Sequence, residues 1–374
     1  MNKKKKVILG LSGGVDSAVA AILLLRQGYE VEGVFMRNWD SSLNRDILGN
    51  PHIYDEVCPQ EADYIDAMKV AEKLNIKLRR IDFVEEYWSK VFVHFLEEYK
   101  RNRTPNPDIV CNSEIKFKSF LEAAENMGAD YIAMGHYARV AHHPEVKLLR
   151  GVDANKDQSY FLCQLTKEQL RKTLFPIGGL HKYEVRAIAA EHNLESVATK
   201  KDSTGVCFIG ERKFREFLKN YLPAQPGDIE TLDGAKVGRH EGTMYYTIGQ
   251  RHGLGLGGAG EPWYVLGKDA ARNALIVGRG SNHEYLYSNR AIIDDVNWLG
   301  PEFSEICCAV KFRYRSKDIE ATARKIENNK LEVFYPGKAK SVTPGQAAVF
   351  YLGDEVLGGG TIEEVYMNDE RRQY

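Results

Sequence analysis

The chain has 374 residues, 43% of them hydrophobic, which is more than one ordinary domain needs, so two or three domains with separate cores are expected. Its 51 basic and 52 acidic side chains leave no global field, so a polyanionic partner would have to be held by local basic patches. The basic amino end carries an apolar run that stops at Ser12, too short for a signal core or a membrane span, and the six cysteines form no C-x-x-C pair, so a cytoplasmic protein with no membrane association, no disulfide scaffold and no structural zinc is expected.

The first half alternates strand and helix. "KKVILGL" (5–11) reads as a buried strand, "AVAAILLLRQ" (18–27) as a helix ending at Gly28, and "EVEGVFM" (30–36) as the next strand. The pattern continues with helix 61–76, strand 77–83, a long helix over 85–102, a Pro-rich loop 103–108, helix 113–128 and strand 129–135. Such an order predicts an α/β fold with a doubly wound parallel sheet, whose ligand site lies beyond the carboxyl ends of the strands. Two more helices follow, in 182–194 and 211–222, and the texture changes at the Pro/Gly break "PAQPGD" (223–228). Beyond it, short runs such as "TMYYTIGQ" (243–250), "WYVLGKD" (263–269), "CCAVKFRYR" (307–315) and "KLEVFYP" (330–336) predict two small all-β barrel domains. The expected division is 1–210, 211–288 and 289–374.

The stretch "GLSGGVDS" comprises Gly10, Leu11, Ser12, Gly13, Gly14, Val15, Asp16 and Ser17, and resembles a phosphate loop without the Walker lysine. Backbone N–H groups of its glycines, two hydroxyls and a helix N-terminus would cradle a pyrophosphate. Asp16 would repel phosphates unless it holds a bridging Mg²⁺, which points to a nucleotide bound as its magnesium complex. By contrast "GLGLGG" (253–258) satisfies G-x-G-x-x-G but opens no helix, so a dinucleotide reading is rejected.

Two cysteines have the setting of nucleophiles. Cys111 follows "NPDIV" just ahead of a helix expected near Glu114, whose dipole would favour an exposed thiolate, and Cys207 lies in "STGVCFIG". Cys58, Cys163, Cys307 and Cys308 read as inert, buried thiols.

The loop resembles that of the ATP-pyrophosphatase superfamily. With "FMRNWD", "NPDIVCNSEIKF", "GHYAR", "KDQSYFL", "STGVCFIGERKF", "YTIGQRHGLG", "KFRYR" and "VTPGQAAVFY", the chain resembles the bacterial tRNA-specific 2-thiouridylases from residue 10 to about 351. It departs from their usual pattern at Met134, Lys340 and Ser341. The resemblance implies ATP on the 10–17 loop, Met36 and Gly135, with Mg²⁺ on Asp16. It implies contact of Asn106, Pro107 and Asp108 with the target uracil, and of His136, Lys156, Asp157, Gln158, Arg313, Tyr314 and Gln346 with tRNA. "KFRYRSK" (311–317) alternates cation and aromatic as an RNA-binding strand would.

The implied activity is adenylation of the C2 oxygen of the wobble uridine, releasing pyrophosphate, followed by sulfur transfer from a Cys207 persulfide with loss of AMP. The persulfide would come from a sulfur-relay protein or a cysteine desulfurase, Asp108 would move a proton, and a transient Cys111–Cys207 disulfide would remain. A small-molecule adenylating ligase of the argininosuccinate or GMP synthetase type shares the loop but leaves the cysteine blocks unexplained. A non-enzymatic RNA-binding module leaves the loop unexplained.

Overall fold

The computed structural model describes residues 4–55, 57–200, 212–327 and 329–372. Cys207 lies outside the described residues. The chain divides into two compact units, one formed by Met1–Phe92, Pro107–Phe217 and Asp354–Val356, the other by Val93–Asn106, Leu218–Gly353 and Leu357–Tyr374.

In the first unit, β1 (Lys6–Gly10), β2 (Glu30–Arg37), β3 (Lys77–Asp82) and β4 (Tyr131–Ala133) belong to a five-stranded sheet, all parallel. Two short antiparallel strands, β5 (Ala138–Ala141) and β6 (Lys147–Arg150), separate β4 from the edge strand β7 (Thr173–Leu174) in sequence only and lie outside this sheet, whose order is β3-β2-β1-β4-β7. The continuous run Val7, Ile8, Leu9 is fully buried, as expected of a central parallel strand covered on both faces. Helix α1 (Val15–Arg26) ends as the sequence suggests. Gly28 takes φ +84°, its N–H donates to the Leu25 carbonyl at 3.0 Å, and the Tyr29 N–H reaches the Leu24 carbonyl at 3.2 Å. That pair of bonds is a Schellman cap, which favours glycine because only glycine adopts the left-handed turn without strain. Chain order reverses between β1 and β4, so the sheet opens a crevice at the carboxyl ends of those two strands.

The second unit contains a four-stranded mixed sheet, β8 (Gly227–Glu230), β9 (Lys236–His240), β10 (Trp263–Asp269) and β11 (Ala274–Arg279), in the order β10-β11-β8-β9. It also contains a closed barrel of β12 (Tyr287–Trp298), β13 (Glu305–Lys311), β14 (Ile319–Ile326), β15 (Lys330–Lys340), β16 (Ala347–Leu352) and β17 (Glu355–Met367). The barrel closes by pairing β12 with β17, which removes exposed sheet edges, and its interior holds Ile293, Val310, Val333, Tyr335 and Phe350.

Two expected strands are not strands. In 243–250, Thr243–Tyr245 forms a single 3₁₀ turn, and the Tyr245 hydroxyl donates to the Leu222 carbonyl at 3.0 Å. In 311–317, β13 stops at Lys311 and the chain turns, with the Ser316 N–H and hydroxyl both donating to the Arg313 carbonyl. Phe312 is buried in the barrel core there, so the cation–aromatic alternation marks a turn anchored by one aromatic residue. Among the described residues no helix is long and apolar enough to cross a membrane.

Candidate active site

The phosphate loop follows β1 directly. The Leu11 N–H pairs with the Val34 carbonyl at 2.9 Å, and the chain then leaves the sheet. Ser17 Oγ accepts from the Ser12 N–H at 3.1 Å and donates to the Gly14 carbonyl at 3.1 Å, closing the loop on itself. Gly13 stands at φ +72°, and a Cβ there would lie 2.1 Å from the Asp63 carbonyl oxygen, so only glycine fits. Gly14 is the N-cap of α1 and has no side chain to satisfy the first N–H groups of the helix, which leaves them available to an anion.

The crevice wall is equally close. A Cβ on Gly135, just past β4, would lie 2.9 Å from the Ser17 nitrogen, so this glycine lets the β4 end rest against the loop. Met36 and Met134 both border Gly10, with Met134 Sδ 2.6 Å and Met36 Cε 3.2 Å from where a Cβ would be. The nucleotide positions expected from sequence, 10–17, Met36 and Gly135, therefore converge on one end of the sheet.

Asp16 is not isolated. Lys182 Nζ donates to both of its carboxylate oxygens at 2.8 Å, and the Tyr137 hydroxyl donates to Oδ1 at 2.8 Å. A second cation, Lys200, bonds Asp63 at 2.6 Å and Asp66 at 2.9 Å and lies 3.4 Å from the Gly13 carbonyl. Burial would lower the Lys200 pKa, but the two carboxylates reverse that and hold it above the ordinary lysine value. The loop without a lysine of its own is thus attended by lysines from more than 160 residues downstream, 182 − 16 = 166 and 200 − 13 = 187. Sequence reading missed both. A signal existed for Lys182, which opens the helix Lys182–Glu191, where a cation opposes the helix dipole and calls for another reason.

A single carboxylate with phosphate oxygens and water is an ordinary donor set for Mg²⁺, so Asp16 fits that ion. No group of three or more metal-ligating side chains occurs among the described residues.

Cys111 differs from expectation. The helix begins at Pro107, whose missing N–H and fixed φ suit a first helical position, and Cys111 starts the wider π-helical turns Cys111–Ser119. Cys111 is thereby carried to a fully buried position, not held exposed ahead of a helix. Asn112, next to it, donates to the Phe161 carbonyl at 3.0 Å. Of the four cysteines expected to be buried and inert, Cys163 is so, and burial pushes its thiol up to about 12, whereas Cys58 and Cys307 are exposed and Cys308 is half-buried. The chain on either side of the Cys207 segment is anchored, at Lys200 as above and at Arg212, which donates to Asp46 at 2.8 Å.

The expected tRNA contacts fall into different environments. Burial, then the Lys116 ammonium, hold the His136 pKa well below its usual value, so its ring is neutral at pH 7, and its buried Nδ1 has no hydrogen-bond partner. Asp157 accepts from the Gly151 N–H at 2.9 Å, the Ser159 N–H at 3.1 Å and the Ser159 hydroxyl at 3.1 Å. Gln158 accepts from the Tyr137 N–H at 3.0 Å, and the Lys156 N–H is bonded to the Asp153 carbonyl at 2.9 Å. Arg313 donates to the Ile248 carbonyl at 3.0 Å, the Ser341 carbonyl at 2.9 Å and Thr343 Oγ1 at 3.2 Å. Tyr314 follows it in the turn, under the Arg315 guanidinium.

Comparison with known proteins completes the picture. A family model described as tRNA methyl transferase HUP domain matches residues 5–211. Models described as tRNA methyl transferase PRC-barrel domain and aminomethyltransferase beta-barrel domain match 215–279 and 288–362. The chain is 56% identical to the tRNA-specific 2-thiouridylase MnmA of Acholeplasma laidlawii, over 99% of this chain and 100% of that one. It is 58% identical to the protein of the same name from Mesoplasma florum, over 97% and 100% of the two chains. For that of Geobacillus thermodenitrificans the identity is 54%, over all of both. With this identity sustained from end to end, and a lysine-attended phosphate loop at the sheet crevice, the chain belongs to the bacterial tRNA-specific 2-thiouridylase family.

Proposed function

We propose that the chain is an ATP-dependent tRNA-uridine 2-sulfurtransferase that makes 2-thiouridine at the wobble position, in the cytoplasm. The observation that carries this reading is 56% identity over 99% of the chain to a protein so named. The division into a catalytic domain 1–210, a central β domain 211–288 and a tRNA-binding barrel 289–374 belongs to the same proposal.

The uridine C2 oxygen is a poor leaving group, and transfer of AMP makes it a good one. The C2 oxygen attacks the α-phosphorus, the α–β bond breaks, and pyrophosphate departs into the glycine loop, whose N–H groups and α1 N-terminus meet its charge. Lys182 adds the cation that the loop lacks. Mg²⁺, when bound with ATP at Asp16, supplies further charge neutralisation.

A persulfide on Cys207 then delivers sulfur. In one route its terminal sulfur attacks C2 and AMP leaves; Cys111 next attacks the Cys207 sulfur, which frees 2-thiouridine and forms a Cys111–Cys207 disulfide. In the other, Cys111 attacks the persulfide first, giving the same disulfide and hydrogen sulfide, which attacks C2. A thiol reductant resets the pair and a desulfurase or relay protein reloads Cys207. Cys207 is 207 − 200 = 7 residues from Lys200, so the chain reaches no farther than about 25 Å from that anchor. Asn106, Pro107 and Asp108 hold the flipped uracil and Asp108 handles the proton at N3 or at Cys111.

The test is mass spectrometry of tRNA nucleosides after incubation with ATP, Mg²⁺, cysteine and a desulfurase. 2-Thiouridine should appear, with AMP and pyrophosphate formed only when tRNA is present. ATP turnover with a small-molecule acceptor and no tRNA would overturn the reading.

A further inference from the structure

The loop 102–106 leaves the helix Val93–Lys100 and runs into Pro107 and Asp108 without regular structure, so its backbone groups need partners from elsewhere. Side chains distant in sequence but within the same unit provide them. Gln346 Nε2 donates to the Thr104 carbonyl at 2.8 Å and to the Pro105 carbonyl at 3.2 Å. Lys268 Nζ donates to the Asn102 carbonyl at 3.0 Å, and the Thr243 hydroxyl donates to Asn102 Oδ1. The Thr104 N–H donates to the Pro344 carbonyl at 3.1 Å. Gly345, at φ +89°, permits this approach, since a Cβ there would lie 3.0 Å from the Thr104 backbone.

Two of these side chains are chemically telling. A glutamine amide has two hydrogens to donate, and both of those on Gln346 point at loop carbonyls. Only its acceptor oxygen remains, which a phosphate would repel. Lys268 is 5% exposed, and burial alone pushes its ammonium down to about 7. Burying an amine is costly unless it is hydrogen-bonded, and a methionine would pack there without that cost, so the Asn102 carbonyl is what the lysine serves.

We infer that Gln346 and Lys268 are positioning residues that set the 102–106 loop, and through it the pose of Asn106, Pro107 and Asp108 at the target base. Gln346 then acts on the reaction through the protein's own backbone. This rests on the assignment of 106–108 to the uracil made above. A base presented out of place loses rate rather than affinity, because phosphate contacts elsewhere hold the tRNA.

The experiment uses the full-length protein with unmodified tRNA transcript. Single-turnover thiolation is measured at saturating tRNA and ATP, and tRNA affinity by filter binding, for wild type, Gln346→Leu and Lys268→Met. Gln346→Leu should lower the saturated rate by about 10- to 100-fold and Lys268→Met by about 3- to 10-fold, as small misplacements at a reacting centre do. The tRNA Kd should stay within about twofold, since neither side chain contributes a phosphate contact. A weakened Kd with an unchanged saturated rate would make Gln346 an RNA contact and overturn the inference, as would no change in either quantity. If Gln346→Leu fails to fold, Lys268→Met, which exchanges a buried amine for an apolar chain of similar length, carries the test alone. A wild-type protein that makes no 2-thiouridine overturns the functional reading and this inference with it, an outcome distinct from any variant-specific result.

Discussion

Replacing Lys182 with methionine removes the cation that engages both Asp16 oxygens at 2.8 Å. The two side chains are 13% and 31% exposed, a setting between bulk water and dry interior. At an effective dielectric of about 20, unit charges about 4 Å apart interact by about 4 kcal/mol. An ammonium at that range from the departing pyrophosphate contributes to rate only through the part of this that grows as the α–β bond breaks. Taking between half and all of it gives about 2–4 kcal/mol, a loss of roughly 30- to 1000-fold in adenylation. The assay is tRNA-dependent pyrophosphate release at saturating ATP. Lys182→Met also leaves Asp16 without its cation, so Asp16→Asn combined with Lys182→Met should recover thermal stability but not activity. Asp16→Ala should likewise fold and fail to release pyrophosphate. A folded Lys182→Met protein working within threefold of wild type would refute the assignment of this lysine to the phosphates.

Gly13→Ala should abolish nucleotide binding measured by calorimetry, because the added Cβ meets the Asp63 carbonyl at 2.1 Å and the φ of +72° is strained for alanine. Cys111→Ser and Cys207→Ser should each abolish 2-thiouridine formation, while Cys163→Ser keeps it, since the Cys163 thiol is pushed up to about 12 and stays protonated. Loss of product in Cys163→Ser with normal folding would contradict that division. Arg313→Ala removes a guanidinium bonded to Ile248, Ser341 and Thr343, so it should cost about 1.5–3 kcal/mol in urea unfolding as well as weaken tRNA binding. Lys268 titrates near 7 when folded and near its ordinary, higher value when unfolded. Between those values the unfolded chain holds the extra proton, so stability should rise with pH from about 7 to 10, by at most about 1.4 kcal/mol per unit, and Lys268→Met should lose that slope. An equal slope in the variant would show that the amine is not held in its low-pKa state.

The elements of the first unit were legible wherever one local signal decided them. The apolar run 7–9 must be buried on both faces, Gly28 suits a left-handed cap, and the serines and glycines of 10–17 leave a turn between strand and helix little choice. Reading failed where a long-range contact overrode local pattern. The alternation in 311–317 looks like a strand, yet Phe312 is drawn into the barrel and the backbone turns around it. Cys111 looks exposed ahead of a helix, yet Pro107 starts that helix four residues earlier and the thiol turns inward.

The sequence by itself determined that a phosphate loop sits at a strand end, that it lacks its own lysine, and that the carboxyl-terminal half is β. These follow from backbone preferences and side-chain chemistry within a few residues of each other. Only the tertiary structure decided which cations attend the loop and which backbone carbonyls Gln346 holds. Lys182 meets Asp16 because β4 pairs with β1 and brings the downstream chain to the same crevice, and Gln346 meets Thr104 because the 344–346 turn packs on the loop. Such pairings depend on strand order and on turns that admit close approach, and sequence spacings of 166 and 346 − 104 = 242 residues carry no trace of them.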